Sequence, residues 1–204
     1  EKPAQQVAFE TEGRKGKDGA WDGIVRERDV RARKSSQIMK EQTNEVRAVS
    51  LSGDGRSAVS GSDDHTARLW EVATGRCIRV FEGHHNLVWA ACFSADDRWV
   101  VSGGWDDNVR VWDKATGECV RTLCAEGPKA AQPITSVCGS ADGRFVLSGD
   151  YSGKLRLWDL VAGLCIHVFD GHHTPVWSVC LSVDKRWALS AGWDAAVRLW
   201  NLAT

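Results

Sequence analysis

Short apolar runs, separated by turns that contain Asp and Gly, follow one another along most of the chain. VWAACFS at 88–94 leads through an Asp-containing turn to WVVSG at 99–103. VRVW at 109–112 alternates in the period-2 manner of a strand, and CVRTL at 119–123 follows after a Thr-Gly turn. Helical repeats would need longer segments with a hydrophobic period of 3.6 residues, and the chain has none. The pattern therefore predicts a unit of four short antiparallel strands.

This four-strand unit is repeated along the chain. Four segments end in the same way: SGSDDHTARLWE (60–71), SGGWDDNVRVWD (102–113), SGDYSGKLRLWD (148–159) and SAGWDAAVRLWN (190–201). Their closing tryptophans, at positions 70, 112, 158 and 200, are spaced by 42, 46 and 42 residues. Four strand-plus-turn segments in about 42 residues are typical of one blade of a β-propeller.

The chain resembles the WD40-repeat family. FEGH at 81–84 and FDGH at 169–172 are similar to the Gly-His that opens a repeat, and Trp-Asp at 112–113 and 158–159 is similar to the pair that closes the third strand. The resemblance implies a structural tetrad of hydrogen-bonded His, Ser, Asp and Trp side chains. It can be placed twice: His84, Ser102, Asp106 and Trp112, and His172, Ser190, Asp194 and Trp200.

Two other units depart from this tetrad. The unit around Trp70 has Gln42 at the His position, and the unit around Trp158 has Ser152 in place of Asp. A four-residue insertion within 123–133 also precedes the second of these units. We expect both units to be held less tightly.

The first 41 residues fall into the same register when they are shifted by 42 positions. DGAWDGIVRERD at 18–29 then becomes a turn and third strand, and SSQIM at 35–39 becomes the fourth strand. Arg28 stands where the signature Trp belongs, so this blade should be the least stable. The alternative is a basic, partly helical tail, because residues 13–40 carry nine Lys or Arg.

Together these patterns predict an all-β fold, a WD40 β-propeller arc of four clear blades plus a diverged N-terminal blade, with the last blade lacking its fourth strand. The predicted repeats are 1–41 (diverged), 42–83, 84–127, 128–171 (after the insertion) and 172–204 (incomplete). Because such an arc has open edges, we expect the chain to be part of a longer protein, and the edges offer a route to self-association.

Composition narrows the functional classes. A net charge of −1 gives no general attraction to nucleic acid or to an anionic membrane surface, and no apolar run approaches the ~18 residues of a membrane span. No catalytic motif is visible, and the two His pairs, at 84–85 and 172–173, lie in non-adjacent units. The sequence therefore predicts that the chain is not an enzyme and holds neither a metal nor a cofactor.

Six of the seven cysteines recur at two fixed positions of the repeat. Cys77, Cys119 and Cys165 begin the fourth strand, and Cys92, Cys138 and Cys180 lie in the first. We interpret them as small buried apolar residues. Without a disulfide or zinc spacing, they favour a cytoplasmic, reducing location.

The positions that vary between repeats carry the functional prediction. In the family that the chain resembles, the loop entering the first strand and the loop joining the second and third strands emerge on one face. The residues at these positions form the predicted partner-binding face: Trp21, Arg47, Asp63, Trp89, Trp105, Tyr151, Trp177 and Trp193. Exposed aromatic residues are typical anchors of protein interfaces. The alternative is that these Trp side chains pack between blades, as we expect of Trp99 and Trp187 in the second strands.

The predicted function is a non-catalytic scaffold that binds a protein or peptide through this aromatic loop face. An alternative is a regulatory or sensor region of a larger signalling enzyme, such as a nucleotide-binding switch protein or a protein kinase. Fold by itself does not choose between the two.

Overall fold

The computed structural model describes residues 6–9, 15–19, 25–29, 34–39, 41–124 and 132–202 of the chain. Within these residues the regular elements are β-strands that pair antiparallel in five sheets, each built from strands consecutive in the chain. The same part of the chain contains no helix that is long and apolar enough to cross a membrane. The predicted all-β arc of blades is confirmed.

The strands have the following bounds in each sheet. The first sheet has β1 (Gln6–Phe9), β2 (Lys15–Gly19), β3 (Val25–Asp29) and β4 (Lys34–Met39); the second has β5 (Val46–Leu51), β6 (Ser57–Ser62), β7 (Ala67–Glu71) and β8 (Cys77–Phe81); the third has β9 (Val88–Phe93), β10 (Trp99–Gly104), β11 (Asn108–Asp113) and β12 (Cys119–Cys124); the fourth has β13 (Ile134–Gly139), β14 (Phe145–Asp150), β15 (Leu155–Asp159) and β16 (Leu164–Phe169); the fifth has β17 (Val176–Leu181), β18 (Trp187–Gly192) and β19 (Val197–Asn201).

The N-terminal sheet follows the plan of the others. In each complete sheet the ladder between the third and fourth strands shifts at the signature position: at Trp70, Trp112 and Trp158, and in the first sheet at Arg28. Such a bulge bends the outer strand and increases its twist. The diverged blade is therefore present, and the helical-tail alternative is wrong for the strands described here. Trp21 lies outside the described residues.

The core lies between adjacent sheets. Apolar side chains of one sheet, such as Val59 and Phe81, pack with those of the next, such as Val88 and Trp112, and these side chains are almost fully buried. Corresponding clusters join the later sheets in turn. Each sheet is thus stabilised by its neighbour, since burial of apolar surface contributes roughly 25 cal/mol per Å².

In the part of the chain that the structure describes, no sheet packs on one face of the fifth sheet, and the side chains there are exposed. Val197 and Leu199 are 73% and 61% exposed, whereas the equivalent Val109 and Val111 of the third sheet are 0% and 2% exposed. The prediction that Trp187 is a core residue is wrong for the same reason, because 42% of its surface is accessible. Within the described residues β19 has no fourth strand beside it, as predicted.

The cysteine prediction holds only in part. All seven thiols are free; Cys92 is half-buried, and desolvation raises the pKa of its thiol to about 12. Cys119 and Cys165 are exposed, however, because they begin the outer strand of their sheets. Cys180 is exposed because it lies on the fifth sheet. Among the described residues, no three His, Cys, Asp or Glu side chains are grouped so that they could hold a metal ion.

Candidate functional site

One end of the sheets gathers the predicted partner-binding positions. The first strand of each sheet begins at the same end as the turn between the second and third strands, because neighbouring strands are antiparallel; Val88, for example, pairs with Gly104. Trp89 and Trp177 are the second residues of β9 and β17. Trp105, Tyr151 and Trp193 follow directly after β10, β14 and β18.

The five aromatic side chains form one continuous row, in the order Tyr151, Trp105, Trp89, Trp177, Trp193. Successive ring centroids are 6.2, 4.9, 5.4 and 5.2 Å apart. None of these four pairs is a parallel stack, since their interplanar angles run from 37° to 71°. Tilted and edge-on contacts at these distances are favourable beyond the area that they bury. The structure therefore brings together five of the eight predicted residues; we call them the aromatic row.

The row passes from the third sheet directly to the fifth, because the fourth sheet has a smaller side chain at the equivalent position. Trp89 and Trp177 belong to the third and fifth sheets, and the equivalent residue of the sheet between them is Thr135. Its hydroxyl donates to the carbonyl of Gly149, 3.0 Å away, and it is buried. The two indoles meet across this gap and help to line a pocket of about 350 Å³. Trp89 thus packs partly between blades, as the alternative interpretation of these Trp residues expects.

Exposure increases toward the two ends of the row. Trp193 is 65% exposed, Tyr151 is 42% exposed and Trp177 is 37% exposed, while Trp89 and Trp105 are half-buried. The indole N–H groups of Trp89 and Trp105 are buried without a hydrogen-bond acceptor. A buried donor left in this way costs about 1–3 kcal/mol. The centre of the row thus carries two unsatisfied donors, and its ends offer apolar surface.

The predicted polar pair lies beside the row. Arg47 Nε donates to Asp63 Oδ1 over 2.7 Å, and Glu45 Oε2 lies 2.7 Å from the same guanidinium. The Arg47 guanidinium carbon is 5.7 Å from the centre of the Trp89 ring, within the range of a cation–π contact. Hydrogen bonding by Asp63 raises the pKa of Arg47 against the effect of burial. The pair consequently supports Trp89, with its charges largely satisfied within the chain.

In each of the two structural tetrads, an unbroken chain of hydrogen bonds links all four side chains. Trp112 Nε1 donates to Ser102 Oγ at 2.8 Å, Ser102 Oγ lies 2.7 Å from His84 Nε2, and His84 Nδ1 lies 2.9 Å from Asp106 Oδ1. Because the Asp106 carboxylate can only accept, His84 Nδ1 carries the proton and donates to it, which leaves Nε2 to accept from the Ser102 hydroxyl. The second tetrad has matching distances of 2.8, 2.7 and 2.9 Å: Trp200 to Ser190, Ser190 to His172, and His172 to Asp194.

The tetrads anchor two of the loops that carry the aromatic row. Burial would raise the pKa of Asp106, but hydrogen bonds from His84 and from the His85 backbone outweigh it and lower that pKa to about 2. Trp105 directly precedes Asp106, and Trp193 directly precedes the Asp of the second tetrad. A buried network at the base of each turn thus holds the backbone from which these indoles project.

In the second sheet the tetrad lacks its imidazole. Trp70 donates to Ser60 at 2.8 Å, and the Thr43 backbone N–H donates to Asp64 at 3.2 Å, as the His85 backbone N–H does to Asp106 in the first tetrad. Gln42 occupies the His position with only 9% of its surface exposed, and both polar atoms of its amide are without a partner. These two unsatisfied amide atoms are the physical reason to expect that the second sheet is held less tightly than the third.

In the fourth sheet Trp158 still donates to Ser148, but a different network, which was missed from the sequence, replaces the His and Asp of the tetrad. Buried Asp150 forms an ion pair with Arg156, which also donates to Gln132. Asp150 stands where the third sheet has Gly104, and a Cβ at Gly104 would lie 2.6 Å from His84 Nδ1. A side chain at this position and an imidazole thus exclude each other. An Asp in the Gly position of a repeat that lacks His was the signal for this alternative.

Comparison with known families agrees with this plan. A family model described as WD domain, G-beta repeat matches residues 33–71, 75–113, 117–159 and 163–201. Each matched segment contains the fourth strand of one sheet and the first three strands of the next. The predicted repeat boundaries, which start at the Gly-His position, stay a prediction. No curated protein matches the chain.

Proposed function

Because the chain belongs to the WD40-repeat family, whose repeats generally mediate protein–protein interactions, we propose that it is a non-catalytic module that binds a protein or peptide through the aromatic row. The observation that carries the proposal is the continuous row of five aromatic rings with exposed ends. Aromatic side chains of this kind are the residues that contribute most to protein interfaces.

Three features support the use of this end of the sheets. Tyr151 keeps 42% of its surface accessible although the fourth sheet packs against a sheet on each side, and Trp193 keeps 65%. The tetrad at Asp194 fixes the turn that carries Trp193, so little conformational entropy is lost when a partner binds it. Among the described residues beside the row, the Arg47 guanidinium and the Asp63 carboxylate are paired with each other, so the exposed part of the row is mainly aromatic.

The test compares two variants that each remove an exposed apolar side chain. Trp193→Ser alters the aromatic row, whereas Val183→Ser alters a residue that is 83% exposed in the turn between β17 and β18, at the opposite end of the sheets. Proteins captured from a cell extract by the wild-type chain should be lost with Trp193→Ser and retained with Val183→Ser. Circular dichroism and urea unfolding should show both variants folded. Equal capture by the two folded variants would refute the proposal.

The proposal includes a reducing, cytoplasmic location, which the seven free thiols support. Thiol labelling of the protein inside intact cells checks this part. Seven labelled cysteines are expected under denaturing conditions, and a stable disulfide would contradict it.

A further inference from the structure

We propose that the aromatic row binds a proline-rich peptide segment in the polyproline II conformation. This inference names the partner class and rests on the proposed function. It follows from three properties of the row: the spacing of its rings, its two unsatisfied N–H donors and the internal pairing of the charges beside it.

The donors favour a peptide whose carbonyl groups are unoccupied. The indole N–H groups of Trp89 and Trp105 have no acceptor in the chain. A helical peptide uses almost all of its carbonyls internally, whereas a polyproline II segment makes no internal hydrogen bonds and presents every carbonyl to its surroundings. A ligand carbonyl that accepts from either donor would remove the cost of leaving that donor unpaired.

The shape of the surface argues against the other common modes of peptide recognition. Strand addition needs an open sheet edge, but the row consists of turn residues and the beginnings of first strands, whose backbones are paired within their own sheets. Helix docking needs a long aliphatic groove, and the row instead consists of tilted aromatic rings in contact with one another. Surfaces lined by aromatic side chains are the ones that bind proline-rich segments in the polyproline II conformation.

The spacing of the rings is also suitable. Neighbouring centroids are 4.9 to 6.2 Å apart, and a polyproline II helix advances by roughly 9 Å in each three-residue turn. Successive turns of the ligand would therefore meet every second ring. Because the peptide is already extended and stiff before it binds, the loss of conformational entropy is small.

The charges beside the row favour a neutral ligand. Arg47 is paired with Asp63 and Glu45, so its guanidinium is already engaged and does not favour a ligand with a phosphate or an acidic side chain. The carboxylates of Asp106 and Asp150 are likewise paired, with an imidazole and a guanidinium of the chain itself. A strongly charged peptide would have to compete with these contacts.

The experiment is a titration of the complete 204-residue chain with an end-capped decaproline peptide, followed in ¹H–¹⁵N spectra through the indole N–H resonances. These resonances are assigned with single Trp→Phe variants. Decaproline should shift the signals of Trp89 and Trp105 in a saturable manner. Trp193→Ala and Tyr151→Ala should each weaken binding about tenfold, and Val183→Ser should not change it.

Two further peptides of equal length make the outcome decisive. A Gly-Ser peptide tests for non-specific binding, and an Arg- and Lys-containing peptide without proline tests for recognition of cations by the rings. Absence of saturable decaproline binding, or equal or tighter binding of either control peptide, would overturn the inference. If cellular partners are still captured in a Trp193-dependent manner, only the proline-rich ligand class is lost. If capture does not depend on Trp193, the proposed function itself fails.

Discussion

Replacing Gln42 with His should complete the tetrad of the second sheet and stabilise the protein. Ser60, Asp64 and Trp70 already occupy the positions that their counterparts have around His84. The amide of Gln42 is buried, and neither its oxygen nor its nitrogen has a partner. An imidazole in the same space would accept from Ser60 and donate to Asp64.

The magnitude follows from the groups involved. Leaving a buried amide unsatisfied costs about 1–3 kcal/mol, and a hydrogen bond to a charged group contributes about 1.5–3 kcal/mol. After the loss of side-chain entropy, the expected gain in the free energy of unfolding is about 2 kcal/mol. For a chain of this length, such a gain raises Tm by roughly 4–8 °C.

The assay is urea unfolding, together with thermal unfolding, of Gln42→His and of the reverse change, His84→Gln, in the third sheet. The two variants should shift the free energy of unfolding in opposite directions by similar amounts. If His84→Gln destabilises the protein while Gln42→His has no effect, the geometry of the second sheet is not prepared for an imidazole. Competition for Asp64 Oδ1 by the Thr66 hydroxyl, which donates over 2.6 Å, would be the physical reason.

Three other predictions concern stability. The lowered pKa of Asp106, about 2 against its ordinary 3.8, means that the stability it contributes is present above about pH 4 and is lost as the pH falls toward 2. Asp106→Asn should therefore reduce the fall in unfolding free energy between pH 4 and pH 2 by about 2 kcal/mol, and an unchanged fall in urea titrations would contradict this. Ala195 has a φ of 57°, so Ala195→Gly should raise the urea midpoint by an amount equivalent to about 0.5–1 kcal/mol. The neighbouring Ala196→Gly should lower the midpoint, and the opposite order of the two would refute the argument from strain. Arg156→Leu should cost about 3–5 kcal/mol because it leaves Asp150 buried without its partner, and a loss below about 1 kcal/mol, again measured in urea, would show that the carboxylate finds another one.

The repeated plan of strands was predictable because it depends on local pattern. Each strand is a short alternating or apolar run between Asp and Gly turns, so its position follows from nearby residues, even in the diverged segment that forms β2 and β3. The members of the structural tetrads could also be named, since the residues that form each set lie within about 28 positions of one another. The pair Asp150 and Arg156, which takes the place of His and Asp in one tetrad, was not predicted because it depends on a side chain in a Gly position and not on a residue of the tetrad itself.

The aromatic row illustrates what lay beyond the sequence. The repeat placed Trp89, Trp105 and Trp193 at one end of the sheets, but whether they would be buried, exposed or stacked on one another depended on the distance between blades. Their order in the row crosses from the third sheet to the fifth over Thr135, a contact between residues that are 88 positions apart. Pairing of Arg47 with Asp63 likewise became visible only in three dimensions.

The sequence by itself determined the strands, the turns and the number of blades, because hydrophobic period and turn chemistry act over a few residues. Tertiary structure decided which surfaces remain open. Equivalent positions such as Val109 and Val197 have the same residue and the same local structure, and they differ only in whether another sheet packs against them. Burial, unsatisfied donors and ring contacts arise between blades, where residues far apart in the chain meet.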